Sequence, residues 1–492
     1  MCATLKQYIM ASSLKQQTIS GMLWTSLQRF GTMGISFISN IVLARLLTPD
    51  DYGCIGMLAI FIVIANTFVD GGFATALIRK KGATKTDFST IFYWNMVIAA
   101  LCYMLLYIFS PNIASYYHIP LLSDVLRLQG IVLIINALSV VQLNILRKGL
   151  NFKKLSYIQI FSTIVSVVVA IVLAYNGYGV WTLVIQQIVN SLVQTLILWF
   201  TTSWYPSLCF SFKSLRDLFA YGSYILLSEL MNNVCFNIQG LIIGRKYSAM
   251  DMGYYSQAKK LETIPTQSIS SIVSMVTFPI YAKIQDEKER LFVVVRKGLR
   301  IMNFLNFPLM VMLIVVAEPL FIVLFSEKWI EAVPYFKIMC IAGLFNCIQS
   351  VNYQVTAAVG RSKDLFNWNI VKRLVGLSLI FIGMQWGVEG ILYAVVIGTI
   401  FTSVINIYIA TPSTGYSLSM QIKDSLAVMS ITIITAIMTY AIFSFFELSE
   451  IVSLMLQAIV YITIYFILAK IFKLEELRDF LDVLKSIFSK RK

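Results

Sequence analysis

Apolar runs of about 20 residues, the length of helix that crosses a bilayer, recur along this chain from near residue 18 to residue 472. Hydrophobic residues make up 58% of the sequence and charged residues 13%, with a mean hydropathy of +0.78. That balance does not suit the polar surface of a soluble domain. The chain is read as an all-α integral membrane protein.

Hydropathy places fourteen spans, near 18–44, 53–78, 88–109, 122–144, 155–175, 180–203, 218–243, 253–279, 300–322, 334–357, 368–386, 388–411, 424–446 and 450–472. The net charge of +15 raises the question of a nucleic-acid partner, and the placement of the bases answers it. With both termini in the cytoplasm, the inside segments collect Lys6 and Lys15, Arg79 to Lys85, Arg147 to Lys154, Lys213 and Arg216, Lys283 to Arg300, Arg361 to Arg373, Lys423, and Lys470 to Lys492. The outside loops hold Arg45, Arg245, Lys246 and Lys328. This is the positive-inside asymmetry, and it implies a multi-pass protein with no nucleic-acid partner. Met1 to Ser20 lacks a cleavable pattern, so the first span is read as retained. No cysteine pair falls in outside loops, so neither a disulfide nor a metal site is expected.

The chain repeats internally. RLLTPDDYG (Arg45 to Gly53) follows the first span and RKYSAMDMG (Arg245 to Gly253) follows the seventh, with the Arg, Asp and Gly in the same register. Tyr175 to Trp181 and Gln385 to Leu392 are a second pair of Gly-containing turns, in the same order. Two sets of six helices in the same orientation imply pseudo-symmetric lobes, a parallel repeat of the kind used for alternating access. The expected organisation is an N-terminal lobe over 1–216, a C-terminal lobe over 217–412, and two added helices with a cytoplasmic amphipathic tail over 413–492.

Polar groups inside spans are costly and, when aligned, face protein or a wet cavity. Thr25, Arg29, Thr32, Ser36 and Asn40 follow helical spacing along span one. Span two adds Asn66 and Asp70, span seven Glu229, Asn232, Asn233 and Asn237, and span eight Lys259, Lys260 and Glu262. The first two helices of each lobe thus hold most of the intramembrane charge, and an anionic ligand in a central cavity is the natural inference. The competing readings are snorkelling for Arg29, Lys259 and Lys260, a cap at Gly71 and Gly72 for Asp70, and interhelical pairing for Asp70 and Glu229. Pro265, Pro279, Pro308 and Pro319 mark bends in spans eight and nine. Leu474, Leu477, Leu481, Leu484 and Phe488 form one face of a terminal amphipathic helix, expected on the inner leaflet or against a partner.

The stretches Gly21 to Gly31, Leu43 to Gly53, Phe68 to Lys80, Thr277 to Glu287 and Ala317 to Ala332, in that order, resemble the polysaccharide (Wzx-like) flippase branch of the MOP exporter superfamily, which includes the MATE exporters and the lipid II flippase. The resemblance implies a MATE/MOP-like fold in a bacterial cytoplasmic membrane. It further implies a cargo of undecaprenyl-diphosphate-linked oligosaccharide, for O-antigen, capsule or exopolysaccharide (lipopolysaccharide-type) synthesis, and partners among membrane lipids, the polysaccharide polymerase and other glycan-assembly proteins. No cofactor is expected. By helix and depth it points to Arg29, Lys259 and Lys260 as diphosphate contacts, and Arg45 and Arg245 of the outside loops are further candidates for the diphosphate. Thr32, Ser36, Asn40, Asn66, Asn232, Asn233 and Asn237 are the expected cavity groups, and Asp70, Glu229 and Glu262 the candidates for a coupling ion. Arginine suits phosphate because its fork of donors meets two oxygens at once. The alternative is a MATE-like cation-coupled exporter of drugs or other small molecules, for which carboxylates, not bases, are expected to dominate the cavity. An enzyme needs acid, base or nucleophilic groups in large outside loops, and the outside loops here are short with His118 as the only histidine.

Overall fold

The computed structural model describes residues 2–73, 76–77, 80, 82–446 and 448–489, with the backbone alone over 2–19, 220–221, 271–276 and 483–489. Arg79, Lys81 and the terminal Lys490, Arg491 and Lys492 lie outside the described residues, as do the side chains of Lys6, Lys15, Leu484, Lys485 and Phe488. By its internal contacts the chain forms two compact units, Met1–Gly253 and Tyr254–Lys492.

The N-terminal unit contains α1 (Cys2–Leu46), α2 (Pro49–Asp70), α3 (Lys85–Tyr117), α4 (Leu121–Lys148), α5 (Phe152–Tyr175), α6 (Val180–Thr201), α7 (Phe212–Lys246) and the first residues of α8 (Ala249–Lys283). The C-terminal unit holds the rest of α8, then α9 (Lys288–Val315), α10 (Ala317–Phe325), α11 (Ala332–Ala358), α12 (Ser362–Gly383), α13 (Gly387–Thr414), α14 (Leu418–Phe443), α15 (Glu450–Ile471) and α16 (Glu475–Ser489). The fold is all-α. Among the described residues, ten segments are long and apolar enough to cross a membrane, one of them joining α12 and α13. Helices α1, α7 and α8 are not among the ten, although α7 and α8 are each 35 residues long. At 1.5 Å per residue they reach about 50 Å. What sets them apart is their polar stripes.

Two expected boundaries are corrected. The run at 300–322 is not one helix: α9 ends at Val315, Val316 leaves helical geometry, and α10 starts at Ala317. Pro319 falls in the first turn of α10, where a missing N–H costs nothing, whereas in a continuous helix it would remove a hydrogen bond. Helix α12 starts at Ser362 instead of 368, and Lys372 and Arg373 lie in its middle.

The loops used to read topology are fastened by their own polar groups. Thr84 and Asp87 form a capping box at the start of α3, and Asp87, nearly fully buried, also accepts from Lys80 at 2.8 Å. Lys148 Nζ donates to the carbonyls of Leu77 and Lys80. In the C-terminal unit, Phe304, Phe307, Met310, Val351, Tyr461 and Tyr465 belong to one buried core. The terminal helix α16 joins that core through Leu477 and Phe480, with Leu474 just before it, while Leu481 stays exposed. Among the described residues, three ion pairs hold it to α9: Arg300 with Glu475 (2.7 Å) and Glu476 (3.0 Å), and Lys297 with Asp479 (3.1 Å).

Candidate functional site

The α1–α2 and α7–α8 turns carry the sequence repeat, and the structure supplies its reason. Thr48 Oγ1 donates to Asp51 at 2.8 Å and accepts the Asp51 N–H, and Ser248 with Asp251 does the same at 2.7 Å. Each is a capping box that satisfies the free N–H groups of the helix it starts. The two glycines of the repeat are then interlocked. A Cβ on Gly53 would lie 1.8 Å from the Ala249 carbonyl, and one on Gly253 would lie 1.9 Å from the Pro49 carbonyl. Pro49 and Ala249 hold equivalent places in the two motifs, so the contact is reciprocal. Only glycine permits two backbones to approach this closely.

From there α2 runs antiparallel to α7 along its full length. Met57 lies beside Gly244, Asn233 Nδ2 donates to Thr67 Oγ1 at 2.9 Å, and Gly72 touches Gly222 at the far end. Asn66 Oδ1 accepts from Asn136 on α4 at 3.3 Å, and Asn237 Nδ2 returns to the Asn233 carbonyl. Of the expected cavity groups, Asn66, Asn233 and Asn237 therefore tie helices together or close on their own backbone. Hydrogen bonds between membrane helices contribute about 0.6 kcal/mol each.

The α1 stripe divides along its length. Asn40 is buried and accepts from Tyr52 at 3.5 Å, and Thr32 donates to the Gln28 and Arg29 carbonyls one turn back. Ser36 is exposed, and so is Arg29, which makes no ion pair among the described residues. Arg45 and Arg245 are exposed at the ends of α1 and α7, and the Arg245 guanidinium sits 4.9 Å above the Tyr116 ring. Asp70, Glu229 and Asn232 are exposed too. Asp70 ends α2, where Gly71 takes the left-handed conformation that closes the helix.

In the C-terminal unit, Lys259 Nζ donates to the Tyr255 hydroxyl at 3.1 Å and lies 5.4 Å from the centre of that ring. Lys260 is exposed. Glu262 accepts from Thr266 at 2.7 Å, and its Oε1 sits against Gly343 on α11 beside Met310 of α9. One turn before Met310, the buried Asn306 donates to the Gly343 and Leu344 carbonyls and leaves its Oδ1 unpartnered. The candidates Asp70 and Glu229 thus belong to one unit and Glu262 to the other.

Two groups of residues escape a hydropathy reading. Arg296 grips Asp424 of α14 with two bonds of 2.6 and 2.7 Å, and Tyr416 donates to the same carboxylate at 2.7 Å. Lys372, 8% exposed in the middle of α12, donates to Asn406 Oδ1 on α13 at 2.8 Å. The signal for Lys372 was its break in an otherwise apolar run. No sequence signal linked Arg296 to a residue 128 positions away.

Comparison with known proteins bears on what this geometry serves. Residues 42–334 match the family described as polysaccharide biosynthesis protein. The teichuronic acid biosynthesis protein TuaB of Bacillus subtilis is 30% identical over 76% of this chain and 78% of its own length. The lipopolysaccharide biosynthesis protein WzxC of Escherichia coli is 24% identical over 87% and 88% of the two chains. Among solved structures, the lipid II flippase MurJ in an inward closed conformation covers 92% of this chain and 98% of its own with a TM-score of 0.77 at 16% identity. A MATE multidrug transporter of the MOP superfamily, outward-facing, covers 80% and 94% with a TM-score of 0.51 at 15% identity. At such identities the likeness is one of fold.

Proposed function

The chain belongs to the polysaccharide biosynthesis protein family, and we propose that it is a flippase that moves an undecaprenyl-diphosphate-linked oligosaccharide across the bacterial cytoplasmic membrane by alternating access. The expected cargo chemistry is a diphosphate between a long lipid and a glycan. The observation that carries the reading is Arg29: among the described residues, an exposed guanidinium without a carboxylate partner, on the polar stripe of α1. An arginine in that setting suits a mobile phosphate, since its planar fork makes charge-assisted bonds to two oxygens.

In this proposal Arg29, Lys259 and Lys260 meet the diphosphate, and Arg45 and Arg245 meet it nearer the outer face. Thr32, Ser36 and Asn232 serve the glycan. Asp70, Glu229 and Glu262 are the carboxylates available for a coupling ion. Two six-helix lobes rock about the cargo, both termini face the cytoplasm, and the polymerase and other assembly proteins receive the product. Catalysis of a bond-making step forms no part of the role. A MATE-like exporter of cations remains the rival, and the bases on α1 and α8 favour the anionic cargo.

The test is deletion of the gene followed by extraction and mass analysis of lipid-linked sugars. Accumulation of a diphosphate-linked oligosaccharide with loss of surface glycan is the expected result. Unchanged lipid-linked pools with altered drug sensitivity would replace this reading with the exporter.

A further inference from the structure

Lys372 is the eleventh residue of a 22-residue helix. It lies about 15 Å from the helix start, at 1.5 Å per residue, and within the longest of the apolar candidate spans. Its side chain is more than nine-tenths buried, and its partner is a neutral amide oxygen, Asn406 Oδ1, at 2.8 Å. Asn406 is itself 1% exposed and fixed by donating its Nδ2 to the Gln349 carbonyl of α11 at 3.2 Å. Lysine, amide and carbonyl thus link α12, α13 and α11 in a chain, and no carboxylate takes part.

Among the described residues, the surroundings offer no compensating charge. On α12 the next residue is Arg373, of the same sign, and Asp364 is already engaged by Arg361 at 2.7 Å. On α13 the titratable side chains are Glu389, Tyr393 and Tyr408. Glu389 is 17 positions from Asn406, about 25 Å along the helix, and Tyr408 is exposed and meets Trp368 edge-to-face. On α11, Cys347 and Tyr353 are the titratable groups flanking Gln349. An ammonium has three donors, and among the described residues one acceptor, Asn406 Oδ1, is bonded to it. Enclosing a lone cation among apolar helices costs several kcal/mol, while a neutral amine can keep one N–H on Asn406 Oδ1 at far lower cost. Lysine is the base whose protonation responds most readily to such a site, whereas arginine stays charged.

We propose that Lys372 is a proton-binding site of the C-terminal unit, and that its protonation and deprotonation couple the transport cycle to the proton gradient. The step balances simply: Nζ gives up one proton to water on one side of the membrane, keeps its lone pair, and takes one proton from the other side. The charged form favours an arrangement of α12 and α13 that admits water to Nζ, and the neutral form favours the closed packing seen here. A ligand shifts such an equilibrium by its differential affinity for the two states. This inference rests on the proposed flippase role for its consequence, but not for the site itself.

The experiment uses proteoliposomes of the full chain with a diphosphate-linked oligosaccharide and an imposed pH difference. One proton per cycle lets a difference of one pH unit bias the cargo distribution up to about tenfold. The bias should fall to near unity in Lys372→Met and in Lys372→Arg, with gradient-free exchange retained in Lys372→Met. A gradient response surviving in either variant would overturn the proposal. Loss of cargo binding in K372M with rescue by K372R would replace it with a fixed anion contact. Should K372M not fold, Asn406→Leu decides: without its acceptor the ammonium is disfavoured, and the pH profile of transport should move toward acid. A direct measurement separates this inference from the flippase reading. Detergent-solubilised wild-type protein should take up the proton that K372M lacks only at pH values well below about 10, where ordinary lysines are already charged, and an excess of one proton already complete near pH 10 would overturn the site. Identical titration of the two overturns the site whatever the cargo proves to be.

Discussion

Arg29 on α1 and Arg296 on α9 are the same residue type in polar stretches of long helices, and the structure gives them opposite circumstances. Arg296 is locked by two short bonds to Asp424, a carboxylate further held by Tyr416. Its neighbours Lys297 and Arg300 are answered by Asp479, Glu475 and Glu476 of α16. Arg29 has no such answer among the described residues and faces outward from its unit. A cation matched by the fold's own carboxylates acts as a fastening for α14 and α16, and a cation left unmatched is available to a ligand. Counting bases does not separate the two; only their partners do.

The sharpest way to break this contrast is to remove each arginine in turn. Arg29→Ala should leave the amount of inserted protein unchanged and lower surface glycan at least about tenfold, the loss expected when a charge-assisted contact of 1.5 kcal/mol or more is removed. Lys259→Ala with Lys260→Ala should do the same, and normal glycan from both would end the diphosphate assignment. Arg296→Ala should act on stability instead. Asp424, 11% exposed, loses its partner, while Arg296 is 41% exposed, so water softens the cost to about 2 kcal/mol. A thermal melt in detergent reads it, and the paired change Arg296→Met with Asp424→Leu should recover most of the loss, since well-packed apolar pairs replace buried ion pairs at little cost.

A subtler substitution gives Arg29 what Arg296 has. Thr32→Glu places a carboxylate three residues on, where helical side chains meet. Transport should fall a few-fold with the fold intact, because the guanidinium then has a standing competitor for phosphate. Unchanged transport would mean that Arg29 is not a free cation in the working protein.

The smallest effect concerns pH. Arg300 hydrogen-bonds Glu475 and holds its carboxyl below the usual range. A group with a lowered folded value contributes its stability above the ordinary carboxylate range and loses it as pH falls through the lowered value. Glu475 is exposed, so the change is slight. Acidification should raise hydrogen exchange in the first turn of α16 before any global unfolding, and Glu475→Gln should abolish that pH dependence.

The sequence by itself determined the class of fold and much of its plan. Apolar length fixes helices because lipid offers the backbone no partner, and the expected spans overlap helices of the structure, the 300–322 run as two of them. The two loop motifs were legible because capping boxes and close-approach glycines need particular residues at fixed local spacing. The α1 stripe was legible for the same reason, since spacing of three and four is a property of one helix. What only the tertiary structure decided was which polar groups are already matched. Asn66 and Asn233 pair with other helices, Lys372 is enclosed beside a distant amide, Arg296 finds Asp424 across 128 residues, and α9 breaks at Val316. Hydropathy sums properties along the chain, whereas matching depends on which helices become neighbours. That is set by packing of side chains far apart in sequence.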